Sequence, residues 1–156
     1  MIQSEFGTNA CAIFSREGFT YALSSISGKT IDTMHKLDTE TGTIIEVKLR
    51  TLAKNSASKL PELRQDFAWF TTATIIASED EEQKSGDENQ IEKFSFFMHG
   101  GSVLNVKTKK KKFLSDFYHL DVEEGLFRKF FLFDAAKGRA GHSMAIIKSE
   151  VYLFGG

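Results

Sequence analysis

The sequence predicts an all-β protein, and three observations lead to that prediction. Short runs of strand-forming residues alternate with turn signals along the whole chain. Fifteen phenylalanines stand against one proline and one tryptophan, and aromatic and β-branched residues favour pleated, half-buried surfaces. No segment sustains the 3.6-residue apolar spacing over the roughly 11 residues that a helix prediction requires.

The strand predictions follow from these runs in chain order. They are ACAIF (10–14), FTYAL (19–23), TMHKLD (33–38), TIIEVKL (43–49), FAWFTTATIIA (67–77), KFSFFMHGG (93–101), FLSDFYHLD (113–121), SMAII (143–147) and VYLFGG (151–156). The segment 50–60 is rich in small polar residues and runs into Pro61, so we predict a loop there.

Two charged segments interrupt the strand pattern. Residues 78–93 carry seven acidic residues against two lysines, and residues 107–112 carry five lysines. Neither segment buries enough apolar surface to fold alone, so both are predicted to be flexible insertions in surface loops.

The strands fall into a repeated order. Three of them close on a pair of small residues, at 24–25, 100–101 and 155–156. After the first two pairs, a further strand ends in Leu-Asp and is followed by a turn with glycine, at 37–42 and 120–125. The order is therefore strand a, strand b, small pair, strand c, Leu-Asp turn and strand d, and then again.

This ordered set resembles the Kelch repeat. The residues that match the Kelch pattern are Gly100, Gly101, Asp116, Tyr118, Leu120, Asp121, Arg139, Gly141, His142, Ser143, Gly155 and Gly156. The first unit departs from it, with Ser24-Ser25 at the glycine pair, and the second has Asp66-Phe67 at the Gly-His position. Ile44 and Phe127 stand where Kelch blades usually carry tryptophan.

The resemblance implies a partial β-propeller built of four-stranded antiparallel Kelch-type blades. We expect a single segment over 1–156, with blade one at about 7–50, blade two at about 63–133 and the first half of blade three at 139–156. Propellers close with roughly 4–8 blades. The remaining blades are expected from a longer chain or from a second polypeptide.

In such blades the glycine pair allows a tight turn, and the aspartate of Leu-Asp accepts backbone N–H groups of the following turn. His142 is expected to anchor a neighbouring backbone group. Because the a–b and b–c turns leave a blade at opposite ends, segments 78–93 and 107–112 are expected on opposite faces.

The sequence contains no recognisable catalytic or metal-binding constellation. His35, His99, His119 and His142 lack zinc-site spacing, and Cys11 has no cysteine partner. We therefore predict no catalytic residues, no cofactor and no metal, and structural roles for these histidines. The one candidate for polyanion contact is the lysine run, comprising Lys107, Lys109, Lys110, Lys111 and Lys112.

Composition narrows the cellular setting. The formal net charge is −1, which argues against a surface that binds nucleic acid or membrane as a whole. The N-terminal residues do not follow the signal-peptide pattern, and no apolar run reaches the length of a membrane span. We expect a cytoplasmic protein, with the nucleus as the alternative, and no membrane partner.

Three functions remain in order of support. The resemblance implies a non-enzymatic scaffold whose blade loops bind a protein partner. The alternative is a nucleic-acid-associated Kelch-like propeller subunit that supports a DNA-acting enzyme, for which the lysine run is the only support. A propeller enzyme, such as a copper oxidase or a sugar-active protein, has the least support because no motif for it is present.

Overall fold

A computed structural model describes residues 10–52, 59–77, 90–130, 137–148 and 150–156. Every regular element in these ranges is a β-strand, which confirms the all-β prediction. The residues of blade one before Ala10 lie outside the described part of the chain, as do most of the acidic segment and residues 131–136.

The first unit is a four-stranded antiparallel meander. It consists of β1 (Ala12–Arg16), β2 (Phe19–Ser24), β3 (Thr33–Asp38) and β4 (Ile44–Lys48), which pair in chain order. The turn after β3 depends on Asp38, whose side chain accepts the backbone N–H groups of Glu40 and Thr41 at 2.9 and 3.1 Å. Asp121 accepts Glu124 N–H in the same way in the second unit, at 3.1 Å. Both Leu-Asp positions therefore form the expected turn.

The second unit contains the same meander with one strand added. It consists of β6 (Ala68–Ala77), β7 (Gln90–His99), β10 (Phe117–Asp121) and β11 (Leu126–Phe130), and β5 (Arg50–Thr51) lies parallel to β11 at the outer edge. The prediction of a loop over 50–60 is wrong at β5, because Arg50 and Thr51 pair with Leu126 and Phe127.

Part of the acidic segment is also strand. Residues 90–93 extend β7, where Gln90 pairs with Ala77 and Lys93 with Thr74. These residues continue the antiparallel pairing of β6, so the loop predicted over 78–93 is shorter than expected. Residues 78–89 lie outside the described residues.

A small hairpin is inserted between β7 and β10. It consists of β8 (Ser102–Leu104) and β9 (Lys111–Phe113). The predicted single strand over 113–121 is therefore wrong. The chain changes direction at Leu114, where Leu114 N–H bonds Gly101 and the Leu114 carbonyl accepts Arg139 N–H. The lysine run is not wholly a flexible loop either, because Lys111 and Lys112 belong to β9.

The third unit is a two-stranded hairpin of β12 (Ser143–Ile147) and β13 (Glu150–Phe154). It lies on the opposite face of the second unit from the first. Phe94, Phe96 and Met98 of β7 pack towards the first unit, whereas Phe97 packs with Met144 and Leu153 of the third. Because alternate residues of a strand point to opposite faces, the three units are stacked in chain order. The described elements do not close into a ring.

The main core fills the space between the first two units. Phe14 of β1 stacks on Phe96 of β7 with ring centroids 5.0 Å apart, and Tyr21 lies 5.7 Å from Phe94. Such aromatic pairs stabilise a core beyond the area they bury. The second core is smaller and is centred on Ala68, Phe117 and Met144.

Candidate functional site

Backbone hydrogen bonds join the three units at one end of the stack. Ile31 N–H bonds Pro61 and Leu63 N–H bonds Lys29, each at 2.8 Å. Gly101 N–H bonds Arg139 at 2.9 Å. We call this end the connection face and define it by residues 25–32, 59–67, 100–116 and 137–142. It contains the b–c connections and the segments that enter β6 and β12.

An ion pair is buried beneath the connection face. The Arg64 guanidinium is fully buried, pairs with both carboxylate oxygens of Asp116 and donates to Gly100 O at 3.0 Å. Its Nε donates to Glu62 O at 2.9 Å. It also lies over the Tyr118 ring at 5.6 Å from the centroid. Burial and the nearby Asp116 charge raise the pKa of Tyr118 to about 12, so its hydroxyl stays protonated.

Sequence reasoning missed Arg64, although the repeat contains a signal for it. Arg139 lies three residues before His142, and Arg64 lies three residues before Phe67, the counterpart of that histidine. The two arginines occupy the same point of successive units. Replacement of Gly-His by Asp-Phe in the second unit hid the correspondence.

Two histidines meet between the second and third units. His99 Nδ1 and His142 Nε2 are 2.9 Å apart, and both rings are buried. His99 Nε2 and His142 Nδ1 have no hydrogen-bond partner among the described residues. The expected backbone anchor for His142 is thus replaced by the His99 ring. Burial, then the charges of His142 and Arg139, lower the pKa of His99 to about 4, so both rings pack as neutral groups.

The other repeat residues occupy the positions that turn and stack the blades. The glycine pairs adopt left-handed backbone conformations, with φ of 65° and 97° at Gly100 and Gly101 and 75° and 97° at Gly155 and Gly156. Leu120 is fully buried between the first two units. Gly141 N–H bonds Asp66 O at 2.8 Å, and Ser143 begins β12.

The hairpin β8–β9 projects basic and apolar side chains from the connection face. All five lysines of the predicted polyanion contact, Lys107, Lys109, Lys110, Lys111 and Lys112, are exposed in it. Val106 and Phe113, beside them, are 71% and 54% exposed. The Asn105 side chain accepts the N–H groups of Lys107 and Thr108 at 3.1 Å, which fixes the turn. We call residues 102–113 the lysine hairpin.

A cleft of about 540 Å³ opens beside the lysine hairpin. Its lining includes Cys11, Arg64, Asp66, Phe67, Trp69 and Leu104. Burial raises the pKa of the Cys11 thiol to about 11, and the thiol donates to Leu23 O at 3.3 Å. A thiol held in this way is a poor nucleophile, because the thiolate is the reactive form.

Neither a metal centre nor a membrane span is visible in the described ranges. No three side chains among His, Cys, Asp and Glu converge there in a way that could hold a metal ion. No helix long and apolar enough to cross a bilayer is present in the same residues. What the connection face offers chemically is a binding surface with a cleft, a rigid hairpin and a cluster of positive charge.

No family model matches the sequence, and no curated protein matches it. The solved structure of YjhT is similar, with a TM-score of 0.52 over 95% of this chain. The likeness is one of fold. Identity is 16%, and the aligned part makes up 34% of the YjhT chain, so the present chain spans about a third of that protein's length.

Proposed function

We propose that these residues are consecutive blades of a Kelch-type β-propeller, and that the propeller is a non-enzymatic scaffold for a protein partner. Three features support the blades: the repeated motif residues, the two four-stranded meanders and the stacking of the units in chain order. The likeness in fold to a longer solved structure agrees with units that belong to a larger assembly. Units of this kind bury their faces only by stacking on neighbours.

The lysine hairpin is the observation that carries the interaction role. It combines exposed lysines with exposed apolar side chains at Leu104, Val106 and Phe113, which lie in or beside the turn and its two strands. Charge of one sign steers a partner of the opposite sign, and apolar side chains supply contact area after encounter. The partner proposed for this surface is therefore a protein segment that combines acidic and apolar residues.

Nucleic-acid binding remains the second candidate because the same lysines would attract phosphates. Duplex binding by lysine alone depends on charge and is independent of nearby aliphatic side chains. The two candidates therefore differ in their dependence on Val106.

Binding of two labelled probes to the full chain separates the candidates. The probes are a peptide of alternating glutamate and leucine and a 20-base-pair DNA duplex, each followed by fluorescence anisotropy. The triple variant Lys109→Gln, Lys110→Gln, Lys111→Gln removes three charges from the hairpin, and Lys48→Gln, Lys93→Gln, Lys148→Gln removes three exposed charges elsewhere. Val106→Ser removes apolar contact without changing charge.

The scaffold role predicts that the hairpin triple weakens peptide binding by about tenfold and that the control triple changes it by less than about twofold. Val106→Ser should weaken peptide binding as well. Tighter binding of the duplex than of the peptide, with no effect of Val106→Ser, would favour the nucleic-acid candidate. Equal loss in both triple variants would show that the hairpin has no special role.

A further inference from the structure

Two arginines perform the same task in successive units. Arg64 Nη1 donates to Gly100 O, and Arg139 Nη1 donates to Gly155 O, each at 3.0 Å. In both units the acceptor is the first glycine of the pair that ends strand b. Each guanidinium therefore fixes the turn at the end of strand b, and the surroundings of Arg64 show what such an arginine binds in a complete blade.

The two arginines differ in one partner. Arg64 pairs with Asp116, the residue just before β10, through both carboxylate oxygens. Arg139 makes no ion pair with any described residue, and its Nε is buried without an acceptor in that part of the chain. A buried guanidinium donor without an acceptor is costly, because protein interiors rarely leave such groups unpaired.

The strand beside Arg139 also has a free edge. In the second unit, β7 pairs with β6 on one side and with β10 on the other, and Phe117 lies opposite His99. In the third unit, β13 pairs with β12, and none of the described strands lies along its other edge. Gly155 shows the same difference, since a Cβ added there meets no atom within 4 Å, whereas at Gly100 it would lie 2.7 Å from Arg139 O.

Aromatic side chains line this part of β13. Tyr152 is 39% exposed and Phe154 is 56% exposed, and the two rings stack with centroids 6.4 Å apart. Their counterparts in β7 are Phe97 and His99, counted back from the glycine pair. Both counterparts pack against Phe117, at centroid distances of 5.9 and 6.4 Å. An incoming strand with an aromatic residue after its aspartate would give Tyr152 and Phe154 the same contacts.

We propose that the free edge of β13 binds an antiparallel β-strand from outside residues 1–156, and that this strand begins with an aspartate whose carboxylate pairs with Arg139. The backbone of that aspartate would accept Gly155 N–H, as Asp116 O accepts Gly100 N–H at 3.1 Å. The next residue, an aromatic one, would lie opposite Phe154. Main-chain pairing supplies affinity in strand addition, and the aspartate supplies register.

The chain contains the sequence from which a probe can be made. A labelled peptide with the sequence of residues 113–121, FLSDFYHLD, carries the strand that occupies this position in the second unit. Its matched control replaces the aspartate at the fourth position with asparagine. Binding of both peptides to the full chain is measured by fluorescence anisotropy, for the wild type and for the variants Arg139→Gln and Lys137→Gln. Lys137→Gln makes the same charge change two residues away, at an exposed side chain.

The wild type and Lys137→Gln should bind the aspartate peptide about tenfold or more tightly than the asparagine peptide, as expected for a charge-assisted, bidentate pair. Arg139→Gln should bind both peptides equally and weakly. Equal binding of the two peptides by the wild type would overturn the proposal, even if Arg139→Gln failed to fold. No binding of the aspartate peptide, or self-association of the chain that excludes it, would also overturn the proposal.

Discussion

Gly100 and Gly155 adopt the same left-handed conformation at the same point of two units, yet their surroundings differ. A Cβ at Gly100 would lie 2.7 Å from Arg139 O and 2.9 Å from His142 Cε1, whereas a Cβ at Gly155 meets nothing within 4 Å. The conformational requirement is common to both positions. The steric requirement arises only where the next unit packs against the turn.

Alanine substitution separates these two requirements. Gly155→Ala should lower the free energy of unfolding by about 1–2 kcal/mol, the cost of a left-handed conformation for an L-residue. Gly100→Ala carries that cost and also displaces Arg139 and His142, so we expect a loss of roughly 3 kcal/mol or more. Urea unfolding of both variants measures the difference. Equal losses would show that the third unit does not pack against the Gly100 turn.

The pair formed by His99 and His142 makes stability depend on pH. The folded-state pKa of His99 is lowered to about 4, chiefly by burial, so the native protein leaves this ring neutral where the unfolded chain protonates it. The unfolded chain binds that proton below about pH 6.5. Stability from this group is therefore complete above pH 6.5 and is lost as pH falls towards 4, by roughly 1.4 kcal/mol for each unit of pKa difference at the limit.

Urea unfolding at pH 7.0 and pH 5.5 tests this dependence. We expect His99→Gln to lose less stability than the wild type between the two pH values, because glutamine does not titrate. His35→Gln, in β3 of the first unit, should keep the wild-type dependence. If His99→Gln and the wild type lost the same stability over this range, the pair would not be the source of the effect.

At the residue scale, the repeat predicted the turn-forming positions but not the contacts between units. Glycine pairs and Leu-Asp turns are local, because each depends on backbone conformation within a few residues. His99 and His142 are 43 residues apart, and Arg64 and Asp116 are 52 apart. Such partners become neighbours only when strands of different units, or distant parts of one unit, come together, so no local pattern pairs them.

At the scale of elements, the lysine hairpin is where the sequence prediction failed most clearly. A run of lysines lacks the apolar alternation that marks a strand. Lys111 and Lys112 nevertheless pair with Leu104 and Val103, because Asn105 closes a turn that brings β8 and β9 together. β5 was missed for a similar reason, since two residues are too few to show a period.

Zero-length carbodiimide coupling tests the position of the lysine hairpin. Lys112 Nζ lies 3.8 Å from Glu62 Oε1 on the connection face. We expect mass spectrometry to find this cross-link, and Glu62→Gln to abolish it. Coupling of hairpin lysines to Glu92, near the opposite end of β7, should be absent. Efficient coupling to Glu92 within one chain would contradict the strand order.

The strand ends that flank the acidic segment lie at the opposite end of β6 and β7 from the connection face. Ala77 pairs with Gln90 there, whereas Ala68 pairs with His99 at the connection face. The expectation that the acidic segment and the lysine run lie on opposite faces agrees with these flanking positions. Glu81 and Glu82 themselves lie outside the described residues, so their separation from the lysines stays a prediction.

At the scale of the whole molecule, the sequence predicted the all-β class and the order of strands within each unit. It did so because the meander is a local topology, in which each strand pairs with the next along the chain. The closed propeller is a different matter, because closure depends on contacts between units that residues 1–156 do not by themselves contain. What the structure adds is the order of stacking, seen in the alternation along β7 between residues that face the first unit and residues that face the third.

Nuclear Overhauser effects on the full chain, labelled at its methionine methyl groups and phenylalanine rings, test this stacking order most directly. The structure predicts cross-peaks between the rings of Phe14 and Phe96, whose centroids are 5.0 Å apart across the first two units. It also predicts cross-peaks from the Met144 methyl group to the Phe117 ring in the second core. Cross-peaks from Met144 to Phe14 or Phe96, or no contact between Phe14 and Phe96, would contradict a second unit packed between the first and the third.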